Sequence, residues 1–239
     1  MPARGGSKRL PGKNLKVLAG KPLLAWSIHV AQGIREICDV LVSTDAPAIA
    51  DVARGAGGLV PWLRPGSLAT DEATSADVCL HALDWYENTR GPVDGLLLLQ
   101  PTSPLRRRSS VLRGIEMFRT RGQRPVIGVS PARSHPLWCF RLEGETMRPF
   151  IQDNGLELRS QDLPPAYAIN GALYLVTPGH LRKGRSFYST DMVPLTMDKP
   201  GEDIDIDTEW DWGLAEATLA VQVGEDAGLR QNVTDVEKA

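Results

Sequence analysis

A chain of 239 residues with 42% hydrophobic and 23% charged residues has ordinary globular composition and room for one large α/β domain. Its net charge of −2 excludes general nucleic-acid binding through an overall positive field, and three widely spaced cysteines (Cys38, Cys79, Cys139) indicate neither a disulfide framework nor a zinc site. With no apolar run approaching a membrane span and no signal peptide, the sequence reads as that of a cytoplasmic protein with free thiols.

The chain opens on Pro2-Ala3-Arg4-Gly5-Gly6-Ser7-Lys8-Arg9-Leu10-Pro11-Gly12-Lys13-Asn14. Glycines let backbone N–H groups turn toward one point and the cations add charge there, so the natural guest is a polyphosphate. The competing reading is a basic tail; the Pro11-Gly12 turn and the helix start at Gly20-Lys21-Pro22 argue against it. No Gly-Lys-Ser/Thr follows a glycine at Walker A spacing.

Next come a helix from Leu23 to Ile34 and a buried strand, Cys38 to Asp45. A helix over Pro47–Gly55, a short strand over Gly57–Trp62 and a helix over Ala76–Tyr86 lead to the apolar run Asp94–Gln100, a strand covered on both faces. Val111–Arg121 reads as a helix and Pro125–Ser130 as another buried strand. This alternation predicts a three-layer αβα, Rossmann-like fold with a mostly parallel sheet, its site beyond the carboxyl ends of the strands. Residues 133–170 break the rhythm with short strand-like pieces (Trp138–Leu142, Met147–Ile151) and read as an excursion, either a lid or an arm reaching another subunit. Ala172–Thr177 resumes as a strand, Pro178–Lys183 as a short helix and Val193–Met197 as a strand. A last helix runs from about Thr208 to Val223, and 224–239 reads as a flexible tail of this single domain.

Charge is unevenly placed. Arg4, Lys8, Arg9, Lys13 and Lys16 stand without an acid at one end, and Glu202, Asp203, Asp205, Asp207, Glu209 and Asp211 without a base near the other. Asp203, Asp205 and Asp207 alternate with Ile204 and Ile206, so an extended chain puts the carboxylates on one face. Like charges so close call for a cation, and oxygen ligands favour Mg²⁺ or Mn²⁺; the alternative is that Asp207 or Thr208 caps the final helix. A basic glycine loop with a two-carboxylate metal site points to nucleotidyl transfer.

The loop, Ser43-Thr44-Asp45, Arg64-Pro65, Gln100-Pro101-Thr102-Ser103-Pro104-Leu105-Arg106, Asn170-Gly171-Ala172 and Ile204-Asp205-Ile206-Asp207-Thr208, in that order, resemble the acylneuraminate cytidylyltransferases, or CMP-sialic acid synthetases, from Met1 to about Glu216. The resemblance implies a nucleotidyltransferase fold with a protruding dimerisation arm, and transfer of CMP from CTP to a 2-keto nonulosonic acid with release of pyrophosphate, assisted by Mg²⁺. It implies Arg4, Gly5, Gly6, Ser7, Lys8 and Lys13 at the triphosphate, with Arg4, Lys13 and Asp207 catalytic. Asn14 and Gln100 would meet the ribose; Arg64, Ala73 and Ser75 would read the cytosine. Asp205 and Asp207 would hold the metal, and Gln161, Asn170, Phe187 and Tyr188 would line the sugar pocket. Asn170-Gly171 as a plain turn, Phe187 and Tyr188 as core, and His135 as a loop residue are the structural alternatives. Residues 133–170 would form the arm of a homodimer. CMP-Kdo synthetases and other sugar nucleotidyltransferases carry similar loops, and an idle nucleotide-binding homologue is the third class. Two departures stand out. The family's hydrophobic strand ahead of the loop is not in this sequence, which predicts a start further upstream. Ser160 and Ala168 stand where the family often has arginine, so the sugar carboxylate is held differently and legionaminic or pseudaminic acids are as open as N-acetylneuraminate.

Overall fold

The computed structural model describes residues 1–152 and 154–236. In chain order it contains β1 (Val17–Leu18), β2 (Lys21–Pro22), α1 (Leu23–Ala31), α2 (Pro47–Gly55), α3 (Ser75–Arg90), β3 (Leu96–Leu98), α4 (Arg108–Thr120), β4 (Val126–Pro131), β5 (Phe140–Glu143), β6 (Thr146–Pro149), β7 (Tyr167–Val176), α5 (Pro178–Gly184), β8 (Val193–Thr196) and α6 (Glu209–Val236). Local chemistry sets several of these boundaries. Pro47 opens α2, and Ile49, Ala50 and Ala53 give it one buried face. Thr74 and Asp77 form a reciprocal capping box that starts α3. The last helix continues well past Val223; the expected tail falls partly on 237–239, which lie outside the described residues.

The main sheet has the order β3-β7-β4-β8. Period-two alternation sorts its side chains to two faces. Leu173, Leu175, Val126 and Leu195 pack with Val111 and Phe118 of α4, while Tyr174, Val176, Leu98 and Ile127 pack with Cys79 and Leu80 of α3 and Leu181 of α5. Helices therefore cover both faces, as the alternation of elements predicts. The strand directions differ from expectation. β7 runs antiparallel to both β3 and β4, and β4 with β8 is the one parallel pair in this sheet. The reason is connectivity: β4 reaches β7 through the excursion rather than through a crossover helix, so the chain returns alongside β4 in the opposite sense.

The segments expected as strands over Cys38–Asp45 and Gly57–Trp62 are extended but paired only through isolated parallel bridges, Pro2 with Ser43 and Leu41 with Leu59. They pack under α1 and α2, where Val42 and Val60 meet Leu24, Ile28 and Ala50. An apolar slot of about 600 Å³ separates Cys38–Leu41 from Val93–Leu99, walled by Ile37, Val40, Ile115 and Phe118. Met1 and Pro2, which lead into the glycine loop, lie on its wall. α1 and its continuation bridge the two sides, through Ile28 on one and Ala31 and Ile34 on the other, and Met1 and Val40 pack against both.

The excursion contains the β5–β6 hairpin, turned at Gly144, whose φ of +63° a residue with a Cβ rarely adopts. Leu142, Met147 and Phe150 stand exposed on it.

Leu173 is fully buried between α4 and the sheet. Leu173→Ala is expected to lower unfolding free energy by about 2–5 kcal/mol, read by urea denaturation.

Candidate active site

Arg4, Ser7, Lys8, Lys13, Asn14, Arg64, Ala73, Ser75, Gln100 and Asp207 line a single cavity of about 510 Å³, together with Arg9, Thr70, Asp71 and Thr102. The loop is fastened from behind. Asp45 accepts the Gly5 N–H at 2.9 Å, and the Asn14 amide donates to the Arg4 carbonyl at 3.0 Å. A Cβ on Gly5 would lie 3.1 Å from the Ala46 methyl, so the loop sits close against this segment. Gly6 has nothing within 4 Å and contributes main chain alone.

Lys13 is the buried member of the loop. Its ammonium donates to the Ile206 carbonyl at 2.6 Å and to Asp207 Oδ1 at 2.9 Å, while Arg9 meets Asp207 Oδ2 at 3.0 Å. The two ends of the chain therefore join here, as their opposite charges predict. The six acids nevertheless have different employment. Glu202 is buried and accepts from the Arg107 N–H and the Ser110 hydroxyl at the start of α4; Asp203 pairs with Arg133 at 2.9 Å. Glu209 pairs with Lys16, and Asp211 accepts the Asp207 and Thr208 N–H groups before α6. Asp207 lines the cavity, and Asp205 lies beside Thr102 and the backbone of Gly171.

Residues 204–207 form no ladder strand, yet the alternation holds: Ile204 and Ile206 are buried against Leu105 and Trp212, and the Ile206 N–H bonds the Thr102 carbonyl. Burial raises the Asp205 carboxyl above the usual range, with Asp207 adding to the effect against the pull of the Thr102 hydroxyl and Lys13. Among the described residues no group of three His, Cys, Asp or Glu side chains is placed to hold a metal. A divalent cation at this site would have two carboxylates and would take its other oxygens from substrate and water. That donor set suits Mg²⁺.

Arg64 is buried and spends its guanidinium on Ser43, through Nε to the hydroxyl at 3.0 Å and Nη2 to the carbonyl; burial pulls its pKa down. Ala73 and Ser75 flank Thr74 at the start of α3 and line the cavity wall. Arg106, which the sequence left as part of a motif, is fully enclosed and donates to the Ala172 carbonyl at 2.5 Å, the Ser27 hydroxyl at 3.0 Å and the Gln100 carbonyl at 2.8 Å. Burial lowers it to about 9, still charged at neutral pH.

The four residues assigned to a sugar pocket are not brought together. Phe187 is 6% exposed and packs on Tyr174 at 5.5 Å, so it is core in this state. Tyr188 is half exposed beside the same ring, and Gln161 lies exposed in the excursion. Asn170 is buried, donating to the Ser130 hydroxyl and accepting the Ala172 N–H. Asn170-Gly171 is a bulge rather than a turn: Ile127 and Val129 of β4 face Tyr174 and Ile169 of β7, which carries the extra residues between them. Gly171 has φ +73°, and a Cβ there would lie 2.8 Å from Gln100 Oε1 and 3.7 Å from Asp205 Oδ2. The bulge thus leaves no room for a side chain between the two.

The sequence reading missed Arg9 and Asp71. Asp71 sits in the basic half of the cavity, with Oδ1 2.8 Å from Arg4 and Oδ2 2.6 Å from Lys8. Its one signal in the sequence is an acid between the Arg64-Pro65 and Ala73-Thr74-Ser75 segments.

A family profile described as cytidylyltransferase matches residues 1–136. The chain is 40% identical over 224 residues to a CMP-N,N'-diacetyllegionaminic acid synthase of Legionella pneumophila, covering 92% of this chain and 94% of that one. It is 32% identical over 216 residues to an N-acylneuraminate cytidylyltransferase of Streptococcus agalactiae, where 89% of this chain spans half the length of the relative. A CMP:2-keto-3-deoxy-manno-octonic acid synthetase, solved complexed with CTP, superposes with a TM-score of 0.68 at 17% identity, covering 92% of this chain and 97% of that one. That last likeness concerns the fold alone.

Gly171→Ala is expected to cost at least about 1 kcal/mol of stability and to push the Gln100 side chain aside. Gly6→Ala, made in open space, should stay within about 0.5 kcal/mol of the parent in the same urea titration.

Proposed function

The chain belongs to the cytidylyltransferase family, and on that footing we propose that it transfers CMP from CTP to the anomeric hydroxyl of a 2-keto nonulosonic acid, releasing pyrophosphate. The observation that carries the reading is the convergence of the Arg4–Asn14 loop, Arg64, Gln100 and Asp207 on one cavity. N,N'-diacetyllegionaminic acid is the first substrate to test, because the 40% identity with the Legionella protein extends over 94% of that protein.

In this reading the loop amides with Arg4, Ser7, Lys8 and Lys13 take the triphosphate, and their charge offsets that developing on departing pyrophosphate. Asn14 and Gln100 face the ribose; Arg64 holds the Ser43 backbone and so shapes the wall, completed by Ala73 and Ser75, that reads the base. Asp205 and Asp207 would hold Mg²⁺, which when bound polarises phosphate oxygens. Lys13 and Arg9 neutralise Asp207 until then. Tyr188 and Gln161 offer accessible groups to the sugar, with Asn170 acting through the bulge and Phe187 through its packing on Tyr174.

The excursion serves as the contact of a homodimer in this proposal. Leu142, Met147, Phe150, Ile151, Leu156 and Leu158 are exposed along it, more apolar surface than a lone arm keeps in water.

Pyrophosphate release with Mg²⁺ and CTP, measured against N,N'-diacetyllegionaminic acid, N-acetylneuraminic acid, pseudaminic acid and Kdo, tests the reaction. Turnover with a nonulosonic acid and CTP alone among nucleotides is expected; turnover only with Kdo, or with another nucleotide, overturns it. Asp207→Ala should lower kcat/KM by about 10²–10³-fold and, by taking the carboxylate from the buried Lys13 ammonium, also lower stability in urea denaturation. For the arm, Phe150→Asp should shift the species seen by sedimentation velocity from dimer to monomer.

A further inference from the structure

Asp71 sits where the proposed reaction would bring an anion of its own. It lies on the short link between the 3₁₀ turn Gly66–Leu68 and α3, two residues before Ala73 of the base-reading wall. From there it spans both loop cations, with one carboxylate oxygen on each: Oδ1 on Arg4 at 2.8 Å and Oδ2 on Lys8 at 2.6 Å. Arg4 also reaches the Thr70 carbonyl at 3.3 Å, so the whole link is drawn across the cavity. These two cations have no other carboxylate partner among the described ion pairs, whereas Lys13 and Arg9 share Asp207 and Lys16 has Glu209.

We propose that Asp71 is an internal competitor for the triphosphate: in the empty protein it occupies Arg4 and Lys8, the nucleotide displaces it, and it returns as pyrophosphate leaves. This inference rests on the proposed cytidylyl transfer and adds to it a residue that sets anion affinity and product release. The pairing is held at two points, and the Lys8 and Arg4 hydrogen bonds keep the Asp71 carboxyl ionised well below its ordinary range. It is also weak enough to give way. All three side chains are solvated, at 38% exposure for Arg4, 51% for Asp71 and 79% for Lys8, and solvated pairs are screened. A triphosphate brings several charges against one and wins the exchange. Once displaced, a carboxylate tethered two residues from the base-reading wall stays near the phosphates as a like charge. It lowers net affinity for the product anion and hastens its exit.

Asp71→Asn keeps the shape and removes the charge; Asp71→Glu keeps the charge. Binding of pyrophosphate is measured by calorimetry in EDTA, which isolates the cations from any metal, and binding of CTP with Mg²⁺ alongside. The asparagine variant is expected to bind metal-free pyrophosphate about three- to thirtyfold more tightly than the parent, with the glutamate variant back near the parent. Its steady-state turnover should become more sensitive to inhibition by added pyrophosphate. Unchanged or weaker pyrophosphate binding in Asp71→Asn, with CTP binding intact in the parent, overturns the competitor role and leaves cytidylyl transfer standing. Weakening confined to the Mg²⁺ measurement overturns it in favour of a metal-ligand role. A folded parent that binds neither CTP nor pyrophosphate overturns the reaction and the competitor with it.

Discussion

A buried ammonium must be neutralised where it lies, and Lys13 meets that requirement with a carboxylate and a carbonyl 193–194 residues further along the chain. That pair of contacts decides the geometry of everything around it. The glycine loop is tied to the 204–207 segment through these contacts. The segment is held by Ile204 and Ile206 in the cluster formed by Leu10, Leu18, Leu23, Leu105 and the start of α6. Loop and acids thus belong to one small hydrophobic unit, and polar chemistry sits on its rim.

A second enclosed cation does the equivalent task on the other wall. Arg106 has no direct carboxylate partner; it donates to acceptors on α1, on the turn after β3 and on the β7 bulge. Guanidinium geometry suits this, since its fork of donors reaches several acceptors in one plane where an ammonium would reach fewer. Gln100 and Asn170-Gly171, which come from distant parts of the sequence, acquire a fixed separation through one side chain. Crowding between Gly171 and Gln100 makes that separation narrow.

Much of this was legible. Proline and periodicity marked α2 to the residue, the unbroken leucines marked β3, and the Asp/Ile alternation over 203–207 put the isoleucines in the core even though no strand forms. What the sequence did not carry follows from non-local pairing. The reversal of β7 depends on how the excursion returns, which no local propensity encodes. Asn170 reads as a turn residue because the same amide that closes a turn also bridges a bulge. Phe187 and Tyr188 are adjacent and chemically alike, and only packing against Tyr174 sends one inward and leaves the other half exposed. Asp71 looked like any surface acid because its partners lie more than sixty residues away.

The apolar slot divides the packing behind the cavity into two walls. Arg64 belongs to the wall under α1 and α2 through Ser43, whereas Gln100 and the bulge belong to the main-sheet wall. α1, Met1, Val40 and the Tyr86–Asp39 hydrogen bond are among the ties between them. In the proposed reaction a nucleotide touching the loop at one end and Gln100 at the other would work as a crossbar. Its binding energy goes partly into stiffness, and melting temperature rises with ligand by mass action on the joined state. The substrate is, in that sense, a structural member of the enzyme that consumes it.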